Sequence, residues 1–392
     1  MSPHKVTILV AAAGAGKTTR LVDIALENRA RRVLLTTYTD SNRDELVNAV
    51  IQRVGIVPEN IHILPWYTFL LRECIVPYLK KSNFYITKRI TGMLFVDGQD
   101  SALRVGADGE YSRTPKSWIS YYFDNSFRIF SDKVSEFAIK LQNDSYGAAF
   151  ERIGRIYDLV LIDEFQDIAS YDLDIVKLLS ENVSSVILAG DPRQVAYVTN
   201  KGRQNSHYKR CESLQYFKDN LPQEVLNIDD YSLSVSHRCH KGICDFASLL
   251  FPDYKSIISG NGKVSGHDGI FFVRESNLQN YYNSYRPFSL RWDSARSLPD
   301  FVTKVANIGV SKGHSYNDIL LFPTTSMIDW LRGDNGKLKD QTLCKLYIAV
   351  TRARQSAAIV VPNDFVRSSA FRCVPFWPDA YSGSDLLPGL FD

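Results

Sequence analysis

Val6-Thr7-Ile8-Leu9-Val10-Ala11-Ala12-Ala13-Gly14-Ala15-Gly16-Lys17-Thr18-Thr19 is the stretch on which the reading of this chain turns. Its first five residues are apolar and largely β-branched, the pattern of a buried strand. Gly14 and Gly16 then free the backbone, and Leu21, Ile24 and Ala25 recur at helical spacing after Lys17-Thr18. A strand, a small-residue loop and a Lys-Thr pair on a helix N-terminus make a phosphate cradle, because loop amides and the helix dipole face an anion there. Lys17 reaches the β- and γ-phosphates of ATP, and the Thr18 hydroxyl takes Mg²⁺. Ala13, Gly14, Ala15, Gly16 and Thr19 are the other nucleotide-binding candidates. Ala11 stands where the general pattern has glycine. A ligand-free turn is the alternative; the order strand, Gly-Lys-Thr, helix favours the nucleotide.

Working outward, Val33 to Tyr38 reads as a second buried strand, followed by an N-cap region at Thr39-Asp40-Ser41-Asn42. Ile61 to Leu64 is a third strand, leading into Trp66-Tyr67-Thr68-Phe69. Tyr157 to Ile162 and Val186 to Ala189 continue the series, with a helix from about Tyr171 to Leu179 between them. Strands alternating with helices predict a parallel, doubly wound α/β sheet. Arg72 to Arg155 breaks the rhythm and is expected to be a small, mostly helical insertion, with the aromatic run Trp118 to Phe130 in its core. A second α/β region begins near Val225. Strands are expected at 233–238, 305–310, 319–322 and 357–361, and helices at 243–250 and 343–354. The domain reading is therefore 1–221, carrying the insertion 72–155, followed by 222–392.

With 392 residues, 45% hydrophobic and 23% charged, the chain has the composition of an ordinary globular protein. Its 46 Lys and Arg nearly balance 43 Asp and Glu, a net charge of +3, which neither demands nor excludes nucleic acid. The six cysteines contain no CxxC pair, and His237, Cys239, His240 and Cys244 lack a second cluster to complete a zinc shell. Reduced thiols, no apolar run of membrane-spanning length and no signal-peptide core point to a cytoplasmic location and no membrane partner.

Asp163-Glu164 follows the fourth strand, where a phosphate loop finds its carboxylate partners. Asp163 can hold the magnesium through its water shell, and Glu164 can polarise the water attacking the γ-phosphate. Gln194 closes the next strand and can sense the γ-phosphate. Arg238 and Arg352 can supply the cations that phosphoryl transfer needs as charge gathers on the equatorial oxygens.

In order, AAAGAGKT, LTTYTD, DEFQD, LAGDPRQ, SVSHR, GVSKG and LYIAVTRAR resemble the successive motifs of superfamily 1A helicases, the UvrD/Rep/PcrA-like group, from Ala11 to Arg354. That resemblance implies two tandem RecA-like P-loop lobes with ATP between them, translocating 3′ to 5′ along single-stranded DNA, RNA remaining open. It makes Lys17, Thr18, Asp163 and Glu164 the ATP and Mg²⁺ machinery and Arg238 and Arg352 arginine fingers. Gln166 and Gln194 link the γ-phosphate to the DNA track. It places Thr37, Tyr38, Thr39 and Trp66 on the DNA strand, Tyr197 on a stacked base, and Ser311, Lys312 and Gly313 on backbone and nucleotide. A nuclease, repair or defence subunit is the expected protein partner. A nucleotide-gated DNA-binding subunit that recruits such a partner is the rival reading. Departures occur at Ser315, His237 and Tyr67, where the family carries Glu, Tyr and His. The accessory insertions are reduced, so poor unaided unwinding is expected.

Overall fold

The computed structural model describes residues 5–96, 100–105, 111–195, 204–205, 208, 212–295, 297–334, 336 and 338–378. The apolar run at the start is strand β1 (Val6–Val10). It joins β2 (Val33–Thr37), β3 (Ile61–Pro65), β4 (Leu159–Asp163), β5 (Ser185–Gly190) and β6 (Leu226–Asp229) in a six-stranded sheet ordered β6-β1-β5-β4-β2-β3. Every neighbouring pair is parallel. Parallel strands need crossovers that cover both faces, so the central strands β2 and β4 are buried at every residue, while the edge strands β3 and β6 are mostly half-buried. Among the crossovers are α1 (Lys17–Glu27) and α2 (Asp40–Val54). Thr39 caps α2, its side chain accepting from Asn42 N at 3.1 Å, and Gly55 closes it with φ +84°. β6 lies past the expected boundary at 221/222 yet pairs with β1.

The insertion holds α3 (Val134–Asp144) and α4 (Ala148–Ile156), but its first half is not mainly helical. After a π-helical segment and a 3₁₀ segment spanning Leu70 to Lys81, Gly92–Leu94 pairs in parallel with Arg128–Phe130, and Leu103–Val105 pairs antiparallel with Tyr111–Arg113. Glycine- and aspartate-rich sequence with Pro115 disfavours helix there, so short strand pairs form instead. Tyr121, Tyr122, Phe123 and Phe130 are buried, and Phe137 of α3 meets Tyr122 at 4.8 Å and Phe123 at 5.2 Å between ring centres. α4 reaches the end of α5 (Tyr171–Asn182) at Gly154, where a Cβ would lie 2.2 Å from Asn182 O.

A second six-stranded sheet contains β7 (Gly269–Arg274), β8 (Phe288–Arg291), β9 (Val305–Asn307), β10 (Tyr316–Phe322), β11 (Ala353–Val361) and β12 (Phe376–Trp377). Its order is β9-β8-β10-β11-β7-β12, again parallel throughout. Phe271, Val273, Tyr281, Tyr282, Leu320 and Ala358 belong to its core. The helix expected to run to Arg354 is α6 (Asp340–Val350), which stops earlier. The Thr351 hydroxyl donates to Tyr347 O at 2.7 Å, and the chain turns into β11 at Ala353, so Arg352 sits in that turn.

The chain divides into two compact units. One contains β1, Lys17–Pro192 and the segment ending at Asp229; the other contains Ala11–Gly16, the chain just after Pro192 and the residues from Asp230 onward.

Candidate functional site

β1 ends at Val10 and the backbone bends at Gly14 (φ +75°) and Gly16 (φ +81°), left-handed conformations that favour glycine, before α1 begins at Lys17. In the first unit the Lys17 ammonium lies 3.0 Å from Glu164 Oε1, and Thr18 Oγ1 donates to Asp163 Oδ2 at 3.1 Å. Asp163 closes β4 and Glu164 follows it, at the carboxyl end of a parallel sheet where such folds place their ligands. Glu164 holds φ +57°, a conformation rare outside glycine, and its N–H donates to Asp163 Oδ1 at 2.9 Å. Gln166 joins two strand ends: its amide nitrogen donates to Glu164 Oε2, and its Oε1 accepts from Asp191 N at 3.0 Å. Thr19 is exposed at the start of α1.

Burial pushes the Asp163 carboxyl up to about 6, the Glu164 charge adding to it while Lys17 and Thr18 oppose. Burial also works against the Lys17 ammonium, but the carboxylates of Glu164 and Asp163 outweigh it and hold its pKa above the ordinary value. Converging hydroxyl and carboxylate oxygens from Thr18 and Asp163 are the hard donors that suit Mg²⁺. Among the described residues no group of three or more His, Cys, Asp or Glu could hold a metal by itself, so phosphate oxygens and water would complete the shell.

In the second unit, Ala13 N donates to Tyr347 Oη at 3.4 Å, Ser236 Oγ to Ala13 O at 2.6 Å, and His237 N to Gly14 O at 3.0 Å. A Cβ on Gly14 would lie 2.5 Å from Arg238 Cβ. Ala15 N turns back to Ala12 O at 3.1 Å. Arg352 is only 2% exposed and spends its guanidinium on Gln194 Oε1 at 3.0 Å, with His314 O and Ile348 O each at 3.3 Å. Gln194 and Arg352 are thus direct partners. Arg238 is half-buried and donates to Thr351 O at 3.3 Å.

The strand-contact candidates divide sharply by exposure. Thr39 is exposed at the N-terminus of α2 and Tyr38 is half-buried, whereas Thr37 is buried and accepts from Asn42 Nδ2 at 3.4 Å. Trp66 does not fit the strand role expected of it: it is 0% exposed and gives its indole N–H to the buried Asp172 at 2.8 Å. Ser311 is also buried, its hydroxyl donating to Ile308 O at 2.7 Å. Lys312 is half-buried beside Gly313, whose φ is +91°. Tyr197 lies outside the described residues. Asp191, Ser236 and Tyr347 lie inside the quoted motifs LAGDPRQ, SVSHR and LYIAVTRAR without a role assigned to them, and Asp172 lies in none, since each matters through a partner distant in the chain.

A family model described as an AAA domain matches residues 1–200. No curated protein matches the chain. Among solved structures, Arterivirus nonstructural protein 10 (helicase) is 15% identical with a TM-score of 0.44, over 92% of this chain and 60% of that one. The complex of Arterivirus nonstructural protein 10 (helicase) with DNA gives 15% identity and a TM-score of 0.46, over 92% of this chain and 61% of the other. The chain therefore spans about 60% of the length of those structures. Among the described residues no helix is long and apolar enough to cross a membrane.

Proposed function

The chain belongs to the AAA-domain family, and from that membership and the geometry of its phosphate loop we propose that it is a superfamily 1 motor that couples ATP hydrolysis to movement along single-stranded DNA. One observation carries the reading: Lys17 and Thr18, at the start of one helix, meet Glu164 and Asp163 at the end of one strand. The Lys17 ammonium pairs with Glu164; a γ-phosphate would take over Lys17 and leave the Glu164 carboxylate to a water. Glu164 Oε then accepts a proton as water oxygen bonds to the γ-phosphorus and the bond to the β–γ bridging oxygen breaks, releasing ADP and phosphate. Thr18 and Asp163 would hold Mg²⁺, which would neutralise charge on the phosphates. Gln166, bonded to Glu164 and to the Asp191 amide, keeps that carboxylate in place. Arg352 and Arg238 are read as the cations of the transition state and Gln194 as the group that reports on the γ-phosphate.

Tyr38 is read as the base-stacking contact and Thr39, exposed at a helix N-terminus, as a phosphate contact. Translocation from 3′ to 5′ follows from the resemblance of the motif series. Purified protein assayed for ATP hydrolysis with no nucleic acid, single-stranded DNA, single-stranded RNA and duplex DNA tests the proposal. Strong stimulation by single strands is expected; hydrolysis indifferent to all three would refute a motor on nucleic acid.

A further inference from the structure

Asp172 takes no part in the phosphate chemistry, yet it is fully buried in the first turn of α5. A buried carboxylate is tolerated only when its oxygens are hydrogen-bonded. Here the donors are three neutral side chains: Tyr38 Oη at 3.0 Å on one oxygen, Trp66 Nε1 at 2.8 Å and Ser135 Oγ on the other. They come from separate places in the first unit. Tyr38 follows β2, Trp66 follows β3, and Ser135 belongs to α3 of the insertion. The ring of Tyr38 is also gripped, stacked on Trp66 at 6.0 Å and 28° between planes, with Tyr67 edge-on at 6.3 Å and 85°. Its hydroxyl is held by Asp172 and its ring packs on Trp66, and the residue as a whole is half-buried.

We propose that Asp172 is a positioning residue for strand binding: it locks Tyr38 in the one orientation that presents the ring to a base, and it ties that orientation to the insertion through Ser135. The inference rests on the reading of Tyr38 as a strand contact. A preset ring loses little freedom when a base stacks on it, so the gain appears in affinity for the strand and not in the hydrolytic step.

The test is ATP hydrolysis titrated with oligothymidylate for wild type, Asp172→Ala, Asp172→Asn, Tyr38→Phe and the Tyr38→Phe/Asp172→Asn double variant. Asp172→Ala should raise the half-saturating oligonucleotide concentration by about tenfold or more, the scale of one lost stacking contact. Its turnover at saturating strand should stay close to wild type. Asp172→Asn keeps an acceptor for Trp66 and Ser135 and can bond the Tyr38 hydroxyl through its amide, so it should largely restore affinity. Wild-type half-saturation in Asp172→Ala, or a parallel loss of turnover, overturns the proposal. Should Asp172→Ala not fold, Tyr38→Phe decides: without the hydroxyl that Asp172 holds, the half-saturating concentration should rise, and by a similar factor on the Asp172→Asn background, which keeps the bond; unchanged half-saturation in Tyr38→Phe overturns the proposal. If wild type shows no stimulation, the motor reading itself fails; stimulation without these shifts removes only Asp172.

Discussion

Gly190 closes β5 directly before Asp191, and a methyl group there has no room. A Cβ at this position would lie 2.3 Å from Gln166 Oε1 and 2.6 Å from Phe165 Cδ1. Gly190→Ala must therefore displace both side chains, and overpacking of this kind costs about 1–3 kcal/mol. Displacing Gln166 also strips the acceptor from the Asp191 N–H, which is buried; an unsatisfied buried donor costs a further ~1–3 kcal/mol. Because one movement causes both losses, they should overlap, giving about 2–5 kcal/mol and a fall in melting temperature of roughly 5–15 °C for a unit of this size. Gln166 would at the same time release Glu164 Oε2, so ATP turnover should fall further than nucleotide affinity. Differential scanning fluorimetry and steady-state hydrolysis on Gly190→Ala, Gln166→Ala and the double variant measure these terms. The double variant should be less damaged than the sum, since Gln166→Ala removes one of the atoms that the methyl strikes. A Gly190→Ala protein that melts and turns over like wild type, or strictly additive losses, would refute the role assigned to Gln166.

Glu164→Gln should bind ATP yet lose about 10²-fold or more in turnover, as read by calorimetry beside steady-state rates; normal hydrolysis would end the assignment of the base. His267 is buried, stacked between Phe271 at 4.3 Å and Tyr285 at 3.7 Å, and burial lowers its pKa to about 4. The unfolded chain takes the proton first, so this contribution is complete above about pH 6.5 and fades as the pH falls toward 4, a loss on the order of 3 kcal/mol. Melting curves across that range should fall less steeply for His267→Phe than for wild type, and equal slopes would contradict the burial argument. Gly154→Ala gains about 1 kcal/mol of helix propensity. It also sets a methyl 2.2 Å from the backbone oxygen of Asn182, a clash that flexible side chains cannot relieve. The clash should win, and a variant as stable as wild type in urea would show that α4 and α5 can slide apart.

What could be read from the residues alone was whatever is local. β1, the loop and α1 carry their period, their glycines and their Lys-Thr pair within one short run, and Asp163-Glu164 follows an unbroken apolar strand. Gly269–Arg274 and Phe288–Arg291 escaped notice because an aromatic-rich helix, Leu278–Tyr285, separates them and blurs the change of period. Arg352 was placed on a helix because Leu346, Ala349 and Val350 continue a helical spacing, and only the Thr351 hydroxyl bond ends it. Trp66 follows a strand and is expected on the DNA strand. Its partner Asp172 lies about a hundred residues on, outside every quoted motif, so burial of the pair became visible only in three dimensions.

Glu164 and Asp172 stand at opposite ends of one short connection between β4 and α5, and this sets a rule about length. The backbone of that connection is set residue by residue, as a 3₁₀ turn at Phe165–Asp167, extended at Ile168 and with φ +57° at Ser170. An inserted residue that this path could not bulge outward would leave Lys17 facing Glu164 but move Asp172 away from Tyr38, Trp66 and Ser135. The connection therefore behaves as a packed spacer: Phe165, Gln166, Ile168, Ala169 and Ser170 are buried, and their number is the quantity that keeps Glu164 and Asp172 in phase.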